Sequence, residues 1–151
     1  MKIASIVARK AQQFECVPET TLLADAIALM NRKKIGSVGV VSVAPTRFRG
    51  LLSQSDVIAA LARRGDLALH ETVVGFMQTD VLACHGEDDA DRVMLAMTRQ
   101  RSRHAVVRTF TGTVAALVSL GDLVASMLDE ARLEAGVLRD MARSRLMAVP
   151  G

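Results

Sequence analysis

Two short motifs hold the side chains best suited to chemistry, Ser53-Gln54-Ser55-Asp56 and Ser119-Leu120-Gly121-Asp122. Each follows an apolar pair, Leu51-Leu52 in one case and Leu117-Val118 in the other, so each reads as a short strand running into a helix. A hydroxyl and a carboxylate three residues apart at a helix start form a capping pair: Ser satisfies a free amide, and the acid complements the helix dipole. The same place suits a ligand. Free amides and a hydroxyl receive a phosphate or a ribose, and a carboxylate one turn in accepts both hydroxyls of a cis-diol. Capping is the default reading of one such motif; two at equivalent places turn the reading toward a ligand.

The elements that must position these motifs are themselves duplicated. Ser119 lies 66 positions after Ser53, and further matches keep nearly that offset: Cys16-Val17-Pro18-Glu19 with Cys84-His85-Gly86-Glu87, Ala28-Leu29-Met30 with Leu95-Ala96-Met97, and Ile35-Gly36-Ser37-Val38 with Ser102-Arg103-His104-Ala105. Two copies of this size are too few and too long for a solenoid. The expected architecture is α/β (α+β): two β-α-β-β-α units packed about a pseudo-twofold axis, with an extended C-terminal helix. In the first copy, strands are expected at 14–17, 37–43 and 51–52 and helices at 22–34 and 53–64. In the second, strands fall at 81–84, 105–107 and 114–118 and helices at 88–100 and from 122 onward. This divides the chain into repeat one at 1–65, repeat two at 66–128, and a helix and tail at 129–151, whose last residues, 148–151, should fray.

Composition narrows the function classes. Half of the 151 residues are apolar, enough for one substantial core. Only 3% are aromatic, with neither Trp nor Tyr, so base-stacking nucleic-acid modules are poorly supported. Net charge is only +3, and the one dense cationic stretch, 99–108, reads as a solvated face. Cys16 and Cys84 fall at matching places and read as buried free thiols, which together with no signal-peptide pattern and no apolar run long enough to span a membrane points to the cytoplasm. No Cys or His spacing suggests a metal. Gly-x-Gly-x-x-Gly, P-loop, Gly-x-Ser-x-Gly and His-Glu-x-x-His motifs are absent, so catalysis is not expected.

The ordered, doubled motifs over residues 1 to about 128 resemble a tandem pair of cystathionine beta-synthase (CBS) domains, a Bateman module, of the kind found as small stand-alone bacterial proteins. The resemblance rests most on 50–56, 101–107 and 118–122. It implies two clefts between the repeats that take adenosine-containing ligands: AMP, ADP, ATP, NAD or S-adenosylmethionine. By that resemblance one cleft would place adenine against Val17, Leu22 and the Ile35-Gly36-Ser37 backbone, ribose on Asp122 and Ser119, and phosphate on Arg103 and His104. Gly121 stands where many family members have a second hydroxyl, and Ala116 replaces a usual Gly. The other cleft would use His85 and Ser102-Arg103 for the base side and Ser53, Ser55 and Asp56 for the ribose. Gly36 and Ser37 match Arg103 and His104 there, so that cleft lacks an obvious phosphate cation, and the Asp122 cleft is expected to hold an AMP-like monophosphate.

The leading expectation is a non-catalytic regulatory module, a homodimer that binds an adenine nucleotide and reports energy or redox state to an unknown protein partner. The alternative is a ligand-free dimerisation scaffold, and a third reading places nucleic acid on the 99–108 cluster. In the last helix Val124, Leu128, Ala131, Ala135, Leu138 and Ala142 recur at steps of four and three, a seam for a partner helix or for the chain's own domain.

Overall fold

A computed structural model describes residues 1–10 and 14–148, with side chains through Leu146; residues 149–151, part of the tail expected to fray, lie outside the described residues. The first unit contains β1 (Cys16–Pro18), α2 (Leu23–Lys33), β2 (Ser37–Val41), β3 (Phe48–Ser53) and α3 (Gln54–Arg64), preceded by α1 (Ile3–Arg9). The second contains β4 (Ala83–His85), α4 (Ala90–Gln100), β5 (His104–Arg108), β6 (Val114–Ser119) and α5 (Leu120–Ala148). Each makes one three-stranded sheet, β1-β2-β3 or β4-β5-β6, with the first pair parallel and the second antiparallel. The two β-α-β-β-α units and the long last helix are those expected from the sequence.

Strand register corrects the cysteine pairing. Val17 sits opposite Val40 and Cys84 opposite Val107, so Val17 and Cys84 are the equivalent residues and Cys16 matches Ala83. A slip of one residue moves a side chain to the other face of a strand. Cys84 is therefore buried, as expected, whereas Cys16 is exposed. The offset is 67 through α2 and β2. It falls to 66 at the motifs because the β5–β6 connection, 109–113, is one residue shorter than the β2–β3 connection, 42–47.

Both first helices end in the same way. Lys34 (φ 55°) and Arg101 (φ 53°) adopt the left-handed conformation, and Ile35 and Ser102 donate their amides back to Met30 and Met97 at 3.0 and 2.9 Å. This turn delivers Gly36 and Arg103 to the second helices: Gln54 N–H donates to Gly36 O at 3.0 Å, and Leu120 N–H to Arg103 O at 2.8 Å.

Packing crosses the repeat boundary. Ile3 and Ile6 of α1 are buried in the second unit's core with Val93, Met97, Val118 and Leu123, and Ala4 donates to Gly86 O. Reciprocally, Ala68, Val73 and Phe76 of the connector between α3 and β4, residues 65–82, complete the first unit's core around Leu23, Val38 and Leu52. A third cluster of Leu51, Val106 and Leu117, flanked by Phe14, Phe48, Val81 and Val114, joins the two sheets. The halves thus form one body with clefts on either side of this seam.

Candidate functional site

Both motifs fold as reciprocal caps. Ser53 N–H donates to Asp56 Oδ2 at 2.8 Å while Asp56 N–H donates to Ser53 Oγ at 3.4 Å; Ser119 N–H donates to Asp122 Oδ2 at 2.8 Å, and Asp122 N–H to Ser119 Oγ at 3.1 Å. Caps of this kind stabilise by about 1 kcal/mol each. Capping and ligand binding are compatible in principle, since a carboxylate has about four lone-pair sites and the caps use one or two.

The Asp122 cleft is a cavity of about 700 Å³ whose wall combines Ser119, Asp122 and Leu117 from the second unit with Phe14, Glu15, Cys16 and Lys34–Ser37 from the first. Lys10 closes one side: its ammonium lies 2.8 Å from Asp122 Oδ2 and also donates to Leu117 O at 2.8 Å. Burial works against the Asp122 charge, but the hydrogen bonds from Lys10 and the Ser119 amide outweigh it and hold the carboxyl below its usual range. Gly39 matters to this wall, because a Cβ there would stand 2.6 Å from the Phe14 ring and 2.8 Å from Cys16 Sγ. Burial, then Glu15, pushes the Cys16 thiol up, and burial with Asp88 pushes Cys84 to about 11, so neither is an activated nucleophile.

The second cleft, about 1210 Å³, is bounded by Leu51, Ser53 and Ser55 on one side and by Val81, Leu82, Ser102 and Arg103 on the other. It also reaches Ser119 and Gly121, so the first turns of α3 and α5 open onto the same space. Amides in a first turn have no intrahelical acceptor. Gly36, His104 and Ser119 line both cavities and so stand between them. Burial lowers the His104 pKa, Asp122 and Asp56 raise it, and Lys10 and Arg103 lower it; the net shift is down, which leaves the imidazole neutral at pH 7.

Of the residues singled out in sequence, Ile35, Gly36, Ser37, His104, Ser119 and Asp122 come together in the first cleft, and Ser53, Ser55, Ser102 and Arg103 in the second, which Gly121 also lines. Four lie elsewhere. Val17 is 6% exposed in the first unit's core, because the strand's inward position falls on it. Leu22 precedes α2 and bridges to Thr72 of the connector. His85 caps the end of β4, with Nδ1 3.0 Å from Arg108 O and its ring stacked on Phe110 at 6.2 Å; it lines a separate cavity of about 400 Å³. Asp56 stands behind the second cleft, its Oδ2 taking the Ser53 hydroxyl at 2.8 Å and its Oδ1 the Gln78 amide at 2.9 Å. Arg103 lines the Asp56 side and not the Asp122 cleft, and so gives that cleft the cation its own repeat lacks.

The residues that sequence reasoning missed are Lys10, Phe14 and Glu15 in one cleft and Val81 and Leu82 in the other. Phe14 and Glu15 occupy the places just before β1 that Val81 and Leu82 occupy before β4; Lys10 has no such counterpart. Extending the duplication N-terminally, at offset 67, pairs Phe14 with Val81 and would have found both pairs. The cationic stretch 99–108 does not make one face: Arg103 enters a cleft, while Arg108 donates to Gly112 O and lies 6.0 Å from the Phe48 ring. Among the described residues no His, Cys, Asp and Glu cluster could hold a metal, and no helix is long and apolar enough to cross a membrane.

Comparison with known proteins agrees with this geometry. The sequence profile of the CBS domain matches residues 5–63. No curated protein sequence matches significantly. A CBS-domain containing protein from Agrobacterium tumefaciens is 27% identical with a TM-score of 0.78, over 83% of this chain and 92% of that one. A CBS domain protein from Pyrobaculum aerophilum, solved with AMP, is 20% identical with a TM-score of 0.74, over 87% and 99%. A CBS domain pair solved with 5′-methylthioadenosine and S-adenosyl-L-methionine is 15% identical with a TM-score of 0.74, over 86% and 98%. Residues 5–63 thus match the CBS domain by sequence profile, and the second half repeats the same strand order and capped helix, the arrangement of a tandem CBS pair.

Proposed function

We propose that the protein is a non-catalytic regulatory module that binds an adenosine-containing ligand in the clefts between its repeats. The observation that carries this reading is convergence: the N-termini of α3 and α5 open onto one cavity that Arg103 and His104 also line. Two positive helix ends and an arginine suit a phosphate, and Ser119 with Asp122 suits an adjoining ribose. AMP fits this arrangement best, with ADP, ATP and NAD as longer candidates. Two related folds were solved with AMP or with S-adenosyl-L-methionine and 5′-methylthioadenosine, which supports the ligand class. The module acts as a cytoplasmic homodimer that passes energy or redox state to a partner protein.

A second reading, a ligand-free dimerisation scaffold, is favoured by one feature: Lys10 already occupies Asp122, and Gln78 and Ser53 already occupy Asp56. A thermal-shift series with AMP, ADP, ATP, NAD and S-adenosylmethionine separates the two. Ligand at a hundredfold excess over its dissociation constant should add about 2.7 kcal/mol of stability. A melting temperature unmoved by every ligand would leave the scaffold reading standing.

A further inference from the structure

α5 runs for 29 residues, and only its beginning touches the rest of the molecule. Leu123 is buried and Met127 half-buried, but every side chain from Asp129 to Leu146 is exposed. The seam expected at Val124 through Ala142 therefore does not fold back on its own domain beyond the first turns. Leu133, Val137 and Met141, spaced by four, are 67%, 55% and 54% exposed and form a stripe along the projecting part. A free helix of this length is marginal in water, and such a stripe normally meets an apolar partner.

Charge identifies the partner. Before Val137 the projecting segment carries Asp129, Glu130 and Glu134 against one Arg132; after it come Arg139, Arg143 and Arg145 against one Asp140. A parallel copy would set like charge on like. An antiparallel copy turned about Val137 sets the net-acidic half on the net-basic half twice, with Asp129 level with Arg145 although Glu134 falls level with Asp140; it also opposes the helix dipoles and places Leu133 against Met141 and Val137 against itself. This net self-complementarity within one helix is what a twofold pair requires.

We infer that α5 is a homodimerisation helix that pairs antiparallel with α5 of a second copy, centred on Val137. The pairing stands independently of nucleotide binding. Site-directed cross-linking tests it, in a Cys16→Ser background that removes the exposed native thiol. Val137→Cys should oxidise to a covalent dimer. Leu133→Cys and Met141→Cys should each stay single alone and link when the two chains are mixed. Self-linking at 133 and 141 as efficient as at 137 would mean a parallel pair and overturn the inference. So would linking only between Ala135→Cys and Leu138→Cys, or none at 137. In sedimentation, R139E/R143E/R145E should weaken self-association at least tenfold, and mixing with D129R/E130R/E134R should restore it; a mixture no tighter than either variant alone contradicts the charge pairing.

Discussion

Lys10→Met is the perturbation that best separates a nucleotide cleft from a merely well-capped helix. The Lys10 ammonium is 2.8 Å from Asp122 Oδ2, with side chains 25% and 28% exposed. A hydrogen bond between charged groups contributes about 1.5–3 kcal/mol, and the entropy of holding a lysine plus solvent screening bring the net to about 1 kcal/mol. A ribose diol that grips both carboxylate oxygens must displace Lys10 from Oδ2, so the same ~1 kcal/mol opposes binding. Titration calorimetry with adenosine, which brings no phosphate, should therefore show Lys10→Met binding about three- to tenfold tighter than the parent. The unliganded variant should be about 1 kcal/mol less stable at pH 7. The pH dependence has a definite sign. Asp122 is held below its unfolded value, so its contribution is present above about pH 4 and lost as pH falls through the lower folded value. The stability gap between parent and variant should close across that acid range. Weaker adenosine binding in the variant would refute the displacement argument and make Lys10 a ligand contact, and a gap that persists unchanged into acid would refute the ion pair's part in it.

Three further outcomes follow from named contacts. Gly50→Ala would place a Cβ 2.5 Å from Gln78 O, in a loop whose backbone is bonded to Leu51 in both directions; calorimetric melting should drop with a loss of about 1–3 kcal/mol. Gly121→Ala meets nothing nearer than Ser119 Oγ at 3.6 Å, so the same assay should find it neutral or stabilising by up to about 1 kcal/mol. His104 has its folded pKa lowered, so the unfolded chain takes the proton first and stability falls as pH drops below about 6.5. Urea titrations of His104→Gln should lose less stability than the parent between pH 6.5 and 5.

The duplication made the architecture legible before any coordinates, because paired strands, helices and caps leave apolar periodicity and Ser-x-x-Asp spacing behind. Ser53, Ser119 and Asp122 were found for the same reason: cap geometry is local. What escaped was set by long-range packing. Lys10 reaches Asp122 across 112 positions, and Phe14, Glu15, Val81 and Leu82 enter the clefts as the segments before each first strand, where no motif marks them. Val17 was placed against adenine by resemblance, whereas the inward position of the three-residue β1 puts it in the first unit's core. The Cys16–Cys84 match failed by one position, enough to reverse a face. His85 was placed on the base side of the Asp56 cleft by resemblance, whereas Arg108 and Phe110 hold it at the end of β4.

The central proposition is that AMP binds between the repeats with its phosphate in the cavity lined by Arg103 and its ribose reaching past His104 and Ser119, which line both cavities, to Asp122 in the other. Isothermal titration of AMP into the parent protein, Asp122→Asn and Arg103→Met tests it most directly. Saturable binding by the parent, weakened at least tenfold in each variant while both remain folded, is the predicted result; an absence of AMP binding to the parent, or equal affinity in all three proteins, would contradict it.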